Sequence, residues 1–194
     1  MHAENLSPRI PPLEPPYTAE IAATLEKWMP PEANRELLKL FRTLYQNPQL
    51  SDRMFSLGAG ILGRRSSIDP YEREIVIDRV CARCDCEYEW GVHVVFYGQR
   101  VGLPENKLQA TRTAPASDPV WSEREQILVQ LVDELHETST VSDELWTKLA
   151  AGWSASQLIE LLVMVGWYHL ISFVANATRV EREPWAAHFP DVSA

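Results

Sequence analysis

Apolar residues recur along this chain at spacings of three and four, and no stretch alternates apolar with polar over the length of a strand. Ile21, Leu25 and Trp28 follow Thr18, a capping residue, and predict a first helix that ends at Pro30-Pro31. Leu37, Leu38, Leu40, Phe41 and Leu44 predict a second from Asn34 to Tyr45, broken by Gln46-Asn47-Pro48. Met54, Phe55, Leu57, Ile61 and Leu62 predict a third, capped by Ser51 and running to about Gly63. Asp69-Pro70 opens a fourth to about Arg83, with proline at the first helical position. Asp85 reads as the cap of a fifth, from Cys86 to about Val101; Gly102 stops it, and Pro104 begins a short sixth element. Thr111 to Pro119 reads as a loop. Ser122 and Glu125 match a capping box before the next helix, Val141 to Ala151 forms another, and Ser154 caps a long last helix to about Arg179. The pattern is all-α, with roughly eight or nine helices.

The flanks differ from this body. Residues 1–17 hold five prolines and read as an extended arm, with Ile10, Leu13 and Tyr17 expected to pack it against the body or a neighbouring subunit. Residues 18–180 form one helical domain, and 181–194 an irregular tail.

Composition narrows the partners. Of 194 residues, 45% are apolar and 23% charged, an ordinary globular balance. The net charge of −9, without a Lys/Arg cluster, speaks against nucleic acid. The apolar run around Leu158 to Ala177 is interrupted by Glu160, Tyr168, His169, Ser172 and Asn176, so it reads as a buried helix and not a membrane span. The first residues have neither a basic nor an apolar leader region, and the cysteine count is odd. A reducing cytoplasmic setting is expected, with no disulfide framework. Gly58-Ala59-Gly60-Ile61-Leu62-Gly63 spells a dinucleotide fingerprint, but it lies in a helix with no strand before it; close helix approach explains it better.

The chemistry concentrates between Glu74 and His93. Cys86, Glu89 and His93 are spaced three and four apart, on one helical stripe that Tyr97 continues. A thiol in the first helical turn gains from the free N–H groups and the helix dipole, while Glu87 and Glu89 oppose its ionisation; simple packing of a small buried residue weighs equally. Glu89 and His93 make an i,i+4 pair suited to acid–base work. Glu74, on the preceding helix, reads on spacing alone as a surface glutamate. Cys81-x-x-Cys84 has zinc-ligand spacing, but only His93 offers a fourth ligand, and no metal or other cofactor is assigned.

These residues resemble a family. Glu74, eleven residues, Cys86, two residues, Glu89, three residues, His93 is similar to the signature of the carboxymuconolactone decarboxylase and AhpD-like alkylhydroperoxidase superfamily. Asp69-Pro70-Tyr71-Glu72-Arg73-Glu74, CEYEWGVH and YGQRVGLPENKL support it, with the RIPPLEPPY arm and Asn47-Pro48-Gln49-Leu50; the match is best over about residues 35–110. The resemblance implies an all-α AhpD-like bundle assembled as dimers, trimers or hexamers.

On chemistry the resemblance divides. In the alkylhydroperoxidase branch two cysteines act with a glutamate and a histidine. Cys86 matches the first cysteine, His93 the histidine and Glu74 the glutamate, but Glu89 stands where the second cysteine belongs and cannot resolve a sulfenic acid. The decarboxylase branch has no need of the pair. The expected function is therefore decarboxylase-like, with a Glu/His relay acting on a small unsaturated organic acid or lactone. His93 is its acid–base residue, Glu89 and Glu74 its carboxyl partners, and Cys86, Trp90 and Tyr97 line the pocket, with Trp167 or His169 at its rim. Arg73 or Arg79 should balance the carboxylates. The alternatives are a thiol hydroperoxide reductase using Cys86, resolved by Cys84 or an external thiol, and a non-catalytic helical module, which predicts a buried cluster without a cavity.

Overall fold

The computed structural model describes residues 7–29 and 36–191. Among them every regular element is helical: α1 (Ala19–Trp28), α2 (Lys39–Leu44), α3 (Pro48–Leu62), α4 (Pro70–Arg83), α5 (Glu87–His93), a π turn (Val94–Gly98) leading into α6 (Gln99–Val101), α7 (Glu105–Thr113), α8 (Glu123–Thr138), α9 (Asp143–Gly152) and α10 (Ala155–Thr178). The all-α expectation holds.

α4 is the axis. Ten consecutive residues from Arg73 to Ala82 are buried, because α5, α7, α8 and α10 surround the helix. Ile75, Val76, Ile77 and Val80 have no exposed surface, and each contributes about 1.5–3 kcal/mol of hydrophobic burial. Such a helix takes its polar residues inside with it. Arg79 reaches α8 through a bidentate pair with Asp133, both contacts 2.8 Å, and donates to the Thr111 and Ala114 carbonyls. α10 is long and apolar enough to cross a bilayer by length and composition, and half of its most apolar window is buried in the body.

Three expected boundaries move. α3 begins at Pro48 and is capped by Asn47, whose side chain accepts from the Leu50 N–H; Ser51 lies inside the helix and is buried. Asn34, the expected start of the second helix, lies outside the described residues, and residues 36–38 are not helical. α2 begins at Lys39 because tertiary partners satisfy its first N–H groups: the Glu183 carboxylate accepts from Lys39 at 2.7 Å, and the Tyr88 hydroxyl from Leu40 at 3.1 Å. α7 continues to Thr113, so the expected loop starts later.

The join between α4 and α5 departs from expectation as well. Asp85 is not the cap of α5. It adopts φ +52°, and two bonds close α4 around it: Cys86 N–H to the Cys81 carbonyl at 2.8 Å and Asp85 N–H to the Ala82 carbonyl at 3.2 Å. This is a Schellman ending with aspartate in the left-handed position usually held by glycine. Its exposed carboxylate pairs with Arg112 at 2.7 Å. Asp85 is consumed in stopping α4, so Cys86 becomes the N-cap residue of α5.

Both flanks are docked. The Arg9 N–H donates to the Thr178 carbonyl and the Leu13 N–H to the Arg42 carbonyl, while the Arg42 guanidinium holds the Leu13 carbonyl and Glu14. Residues 183–189 lie along α5: Tyr88 donates to Glu183, Ala187 N–H to the Gly91 carbonyl, and Phe189 packs on Trp90 with ring centroids 5.2 Å apart. Gly91 permits this approach, since a Cβ there would stand 2.2 Å from the Ala187 carbonyl oxygen. Gly58 of the G-x-G-x-x-G stretch likewise faces Trp167 of α10 at close range, within a helix as expected.

Candidate functional site

α4 brings Glu74 inward and α5 brings Glu89 and His93 to meet it. The Glu74 Oε2 lies 2.8 Å from His93 Nδ1, and the Glu89 Oε1 lies 3.5 Å from Nε2. The imidazole is thus held between two carboxylates, with 2% of its surface exposed. Glu74 is fully buried, not a surface glutamate, and its other oxygen faces Arg73 at 3.4 Å. Burial alone would push the His93 imidazole down; Glu74 and then Glu89 outweigh that and raise it to about 10. The Tyr97 ring stacks on His93 at 4.9 Å, and Tyr168 meets it edge-on at 5.1 Å.

A cavity of about 770 Å³ ends on this histidine. Glu89, His93, Tyr97 and Tyr168 form part of its wall; Trp28, Phe41, Phe55, Tyr71 and Trp167 supply much of the rest, and the exposed Lys27, Arg64 and Arg100 stand around it. Arg73 also lines it, so one of the two arginines anticipated as counter-charges is at the site, while Arg79 is engaged by Asp133. A cavity of this size and aromatic lining suits a small, mainly apolar molecule.

Two expected pocket residues lie elsewhere. Trp90 is buried under Phe189, and its Nε1–H donates to Thr111 at 2.9 Å; it does not line the cavity. Cys86 does not line it either and has no exposed surface. The position of Cys86 explains both facts, because the residue that ends α4 and starts α5 is wedged between them. Burial pushes its thiol up to about 12. The Glu89 backbone N–H works against that from close by, without the geometry of a cap bond. The buried Ser172 hydroxyl is near both Cys86 and Cys84, again without a well-formed hydrogen bond. His169, weighed for the rim, is absent from it, whereas Trp167 is present.

One residue of the cluster was missed in the sequence. Asp78 sits one turn beyond Glu74 on α4, fully buried, with neither carboxyl oxygen hydrogen-bonded. Burial first, and then the Glu74 charge, raise it well above the usual carboxylate range, which favours the neutral acid. Its place in a run of apolar residues at helical spacing from Glu74 was the available clue.

Comparisons with known proteins agree with this architecture. No family model matches the chain. A curated relative, the uncharacterized protein YnjA of Escherichia coli (strain K12), is 32% identical over 119 residues; the match spans 60% of this chain and 64% of that relative's length. Among solved structures, an uncharacterized peroxidase-related protein from Silicibacter sp. TM1040 superposes with a TM-score of 0.77 at 15% identity, over 91% of this chain and 92% of the other. A protein of unknown function from Agrobacterium tumefaciens, suggested to be the antioxidant defence protein AhpD, gives 0.65 at 18% identity, over 71% and 93%. A cysteine-to-alanine variant of the debrominase Bmp8, in complex with 2,3,4-tribromopyrrole, gives 0.71 at 18% identity, over 91% and 92%. The chain has the AhpD-like fold.

Proposed function

We propose that this protein is a cofactor-independent enzyme that transfers a proton at carbon on a small, flat organic molecule, with His93 as the proton carrier. The reading rests on one observation: an imidazole clamped between Glu74 and Glu89 forms the inner wall of an aromatic-lined cavity. Decarboxylation of an unsaturated acid or lactone fits this arrangement. Loss of CO2 leaves an electron pair on a substrate carbon, the carbon takes the proton from Nε2, and the neutral ring is reprotonated from solvent. Glu74 at Nδ1 fixes the ring and favours its charged form. Arg73 and the outer Lys27, Arg64 and Arg100 favour an anionic substrate. A cytoplasmic homo-oligomer belongs to the same proposal, supported by exposed Ile159, Val163, Leu170 and Phe173 on one side of α10.

A thiol hydroperoxide reductase is the second reading. Cys86 at the N-cap of α5 favours it, as does the cysteine replaced in the pyrrole-bound debrominase. Its burial, its absence from the cavity wall and glutamate at position 89 weigh against it. The presence of a cavity at His93 weighs against a non-catalytic module.

The test is a pair of variants assayed on both chemistries, CO2 release from unsaturated lactone acids and hydroperoxide consumption with a dithiol. His93→Gln should lower decarboxylation by about 100-fold or more, and Cys86→Ser by less than about tenfold. Hydroperoxide reduction abolished by Cys86→Ser, with no decarboxylation in the wild type, establishes the thiol reading instead.

A further inference from the structure

We propose that Cys84, His136 and His169 form a binding site for one borderline-soft divalent cation of the Zn2+ type, separate from the His93 cavity. Their ligand atoms all lie within 4.8 Å of one another, and none of the three lines that cavity. The sequence suggests no such grouping. Cys84 reads there as half of a Cys-x-x-Cys, yet Cys81 is fully buried, and the partners of Cys84 come from helices far along the chain.

The three positions are well held. Cys84 is the C-cap residue of α4, and its carbonyl accepts from Asn176 on α10 at 2.8 Å. His136 lies in the last turn of α8, and His169 in the middle of α10. Two helix C-termini therefore converge on the point, and their carbonyl ends favour a cation.

The histidines are also oriented as ligands. His169 Nδ1 lies 2.9 Å from the Val165 carbonyl, so that nitrogen carries the proton and donates, leaving Nε2 a lone pair that accepts from His136 Nδ1–H in the metal-free protein. That Nε2 is 3.0 Å from His136 Nδ1. Two imidazole nitrogens bound to one tetrahedral Zn2+ stand about 3.3 Å apart, and a thiolate sulfur about 3.6 Å from each. The pair is thus already close to the bound spacing, and the sulfur has about 1 Å to travel, within reach of a χ1 rotation.

Two imidazoles and a thiolate select Zn2+, Co2+ or copper over Mg2+ or Ca2+, which prefer oxygen. Cys84 and His136 are partly exposed, so the fourth position faces water. The nearby Arg83 guanidinium, which would repel a cation, is paired with Glu137 at 2.7 Å and Asp133 at 3.5 Å. Binding is a proton exchange with no redox step. The Cys84 S–H proton is released to buffer, and the His136 proton moves from Nδ1 to Nε2 as Nδ1 takes the metal.

The test is titration of the full-length, chelator-dialysed protein with Co2+, followed by Zn2+. One equivalent of Co2+ should produce the visible bands of a tetrahedral ion and a thiolate-to-cobalt charge-transfer band in the near ultraviolet, and Zn2+ should bleach both. Cys84→Ser should remove the charge-transfer band, and His136→Ala or His169→Ala should weaken binding at least about tenfold. Zn2+ should also protect Cys84 from iodoacetamide. Circular dichroism identifies any variant that fails to fold, and the double variant Cys81→Ala/Cys86→Ala, which leaves the three ligands intact, should keep the band. The proposal is overturned by absence of a saturable Co2+ spectrum in the wild type, by a charge-transfer band that survives Cys84→Ser, or by unchanged affinity in both histidine variants.

Discussion

Glu74 and His93 are nineteen residues apart in the chain, and their side chains meet at 2.8 Å, the carboxylate fully buried and the imidazole 2% exposed. The contact gives the fold a specific pH dependence. The folded-state imidazole is raised to about 10 from 6.5, so its contribution to stability is complete below about pH 6.5 and is lost as pH rises through about 10. Denaturant midpoints of the wild type should fall across that interval. In His93→Gln the part of the slope due to this group should disappear, and in Glu74→Gln the imidazole should titrate at lower pH by NMR.

Asp78, also raised in the folded state, costs stability in the same pH direction, beginning at lower pH. A fully buried acid kept neutral, with no hydrogen-bond partner, costs folding free energy wherever the unfolded chain would ionise it. Asp78→Asn should therefore be at least as stable as the wild type near pH 7, with the advantage shrinking as pH falls toward about 4. Urea midpoints at the two pH values check this. A large loss of proton-transfer activity in the same variant assigns the neutral acid to the relay.

Glycine substitutions should separate by what faces them. Gly91→Ala forces its new methyl into the Ala187 carbonyl and should cost about 1–3 kcal/mol. Gly60→Ala in α3 and Gly166→Ala in α10 meet nothing within 4 Å and should each gain up to about 1 kcal/mol of helix propensity. Thermal or denaturant unfolding measures all three.

The cysteines should differ in reactivity. Cys81 and Cys86 have no exposed surface, and Cys84 is partly open. In the native, metal-free protein iodoacetamide should label Cys84 first, with Cys81 and Cys86 labelled only on unfolding; peptide mass spectrometry reads the order.

Much of the helical frame is written locally. Thr18, Asp69, Ser122 and Ser154 each accept from a backbone N–H within their own first turn, so a short window of sequence suffices to place those helices. The grouping of Glu89, His93 and Tyr97 also follows from spacing, whereas Cys86, at the N-cap, stands off their cavity wall. What escaped depends on distant partners. α2 starts where Glu183 and Tyr88 receive it, and no residue near Lys39 announces that. Asp85 has the right chemistry for an N-cap, and the opposite role was decided by how α4 closes. The wall of the cavity is shared among α1, α3 and α10, so Trp28 and Phe55 carry no local sign of lining it, and Trp90, adjacent to Glu89, is diverted to Thr111. His136 and His169 meet only because α8 and α10 both flank α4.

The 183–189 segment that lies along α5 has a consequence for synthesis. Tyr88 waits for Glu183, its partner 95 residues later. At about 5–20 residues per second, the face of α5 that carries Tyr88 and Trp90 stays uncovered for roughly 5–20 s after it leaves the ribosome. A slow stretch of codons between the two would lengthen that interval, and a nascent chain stalled there would present two buried aromatic side chains to the chaperones of the cell.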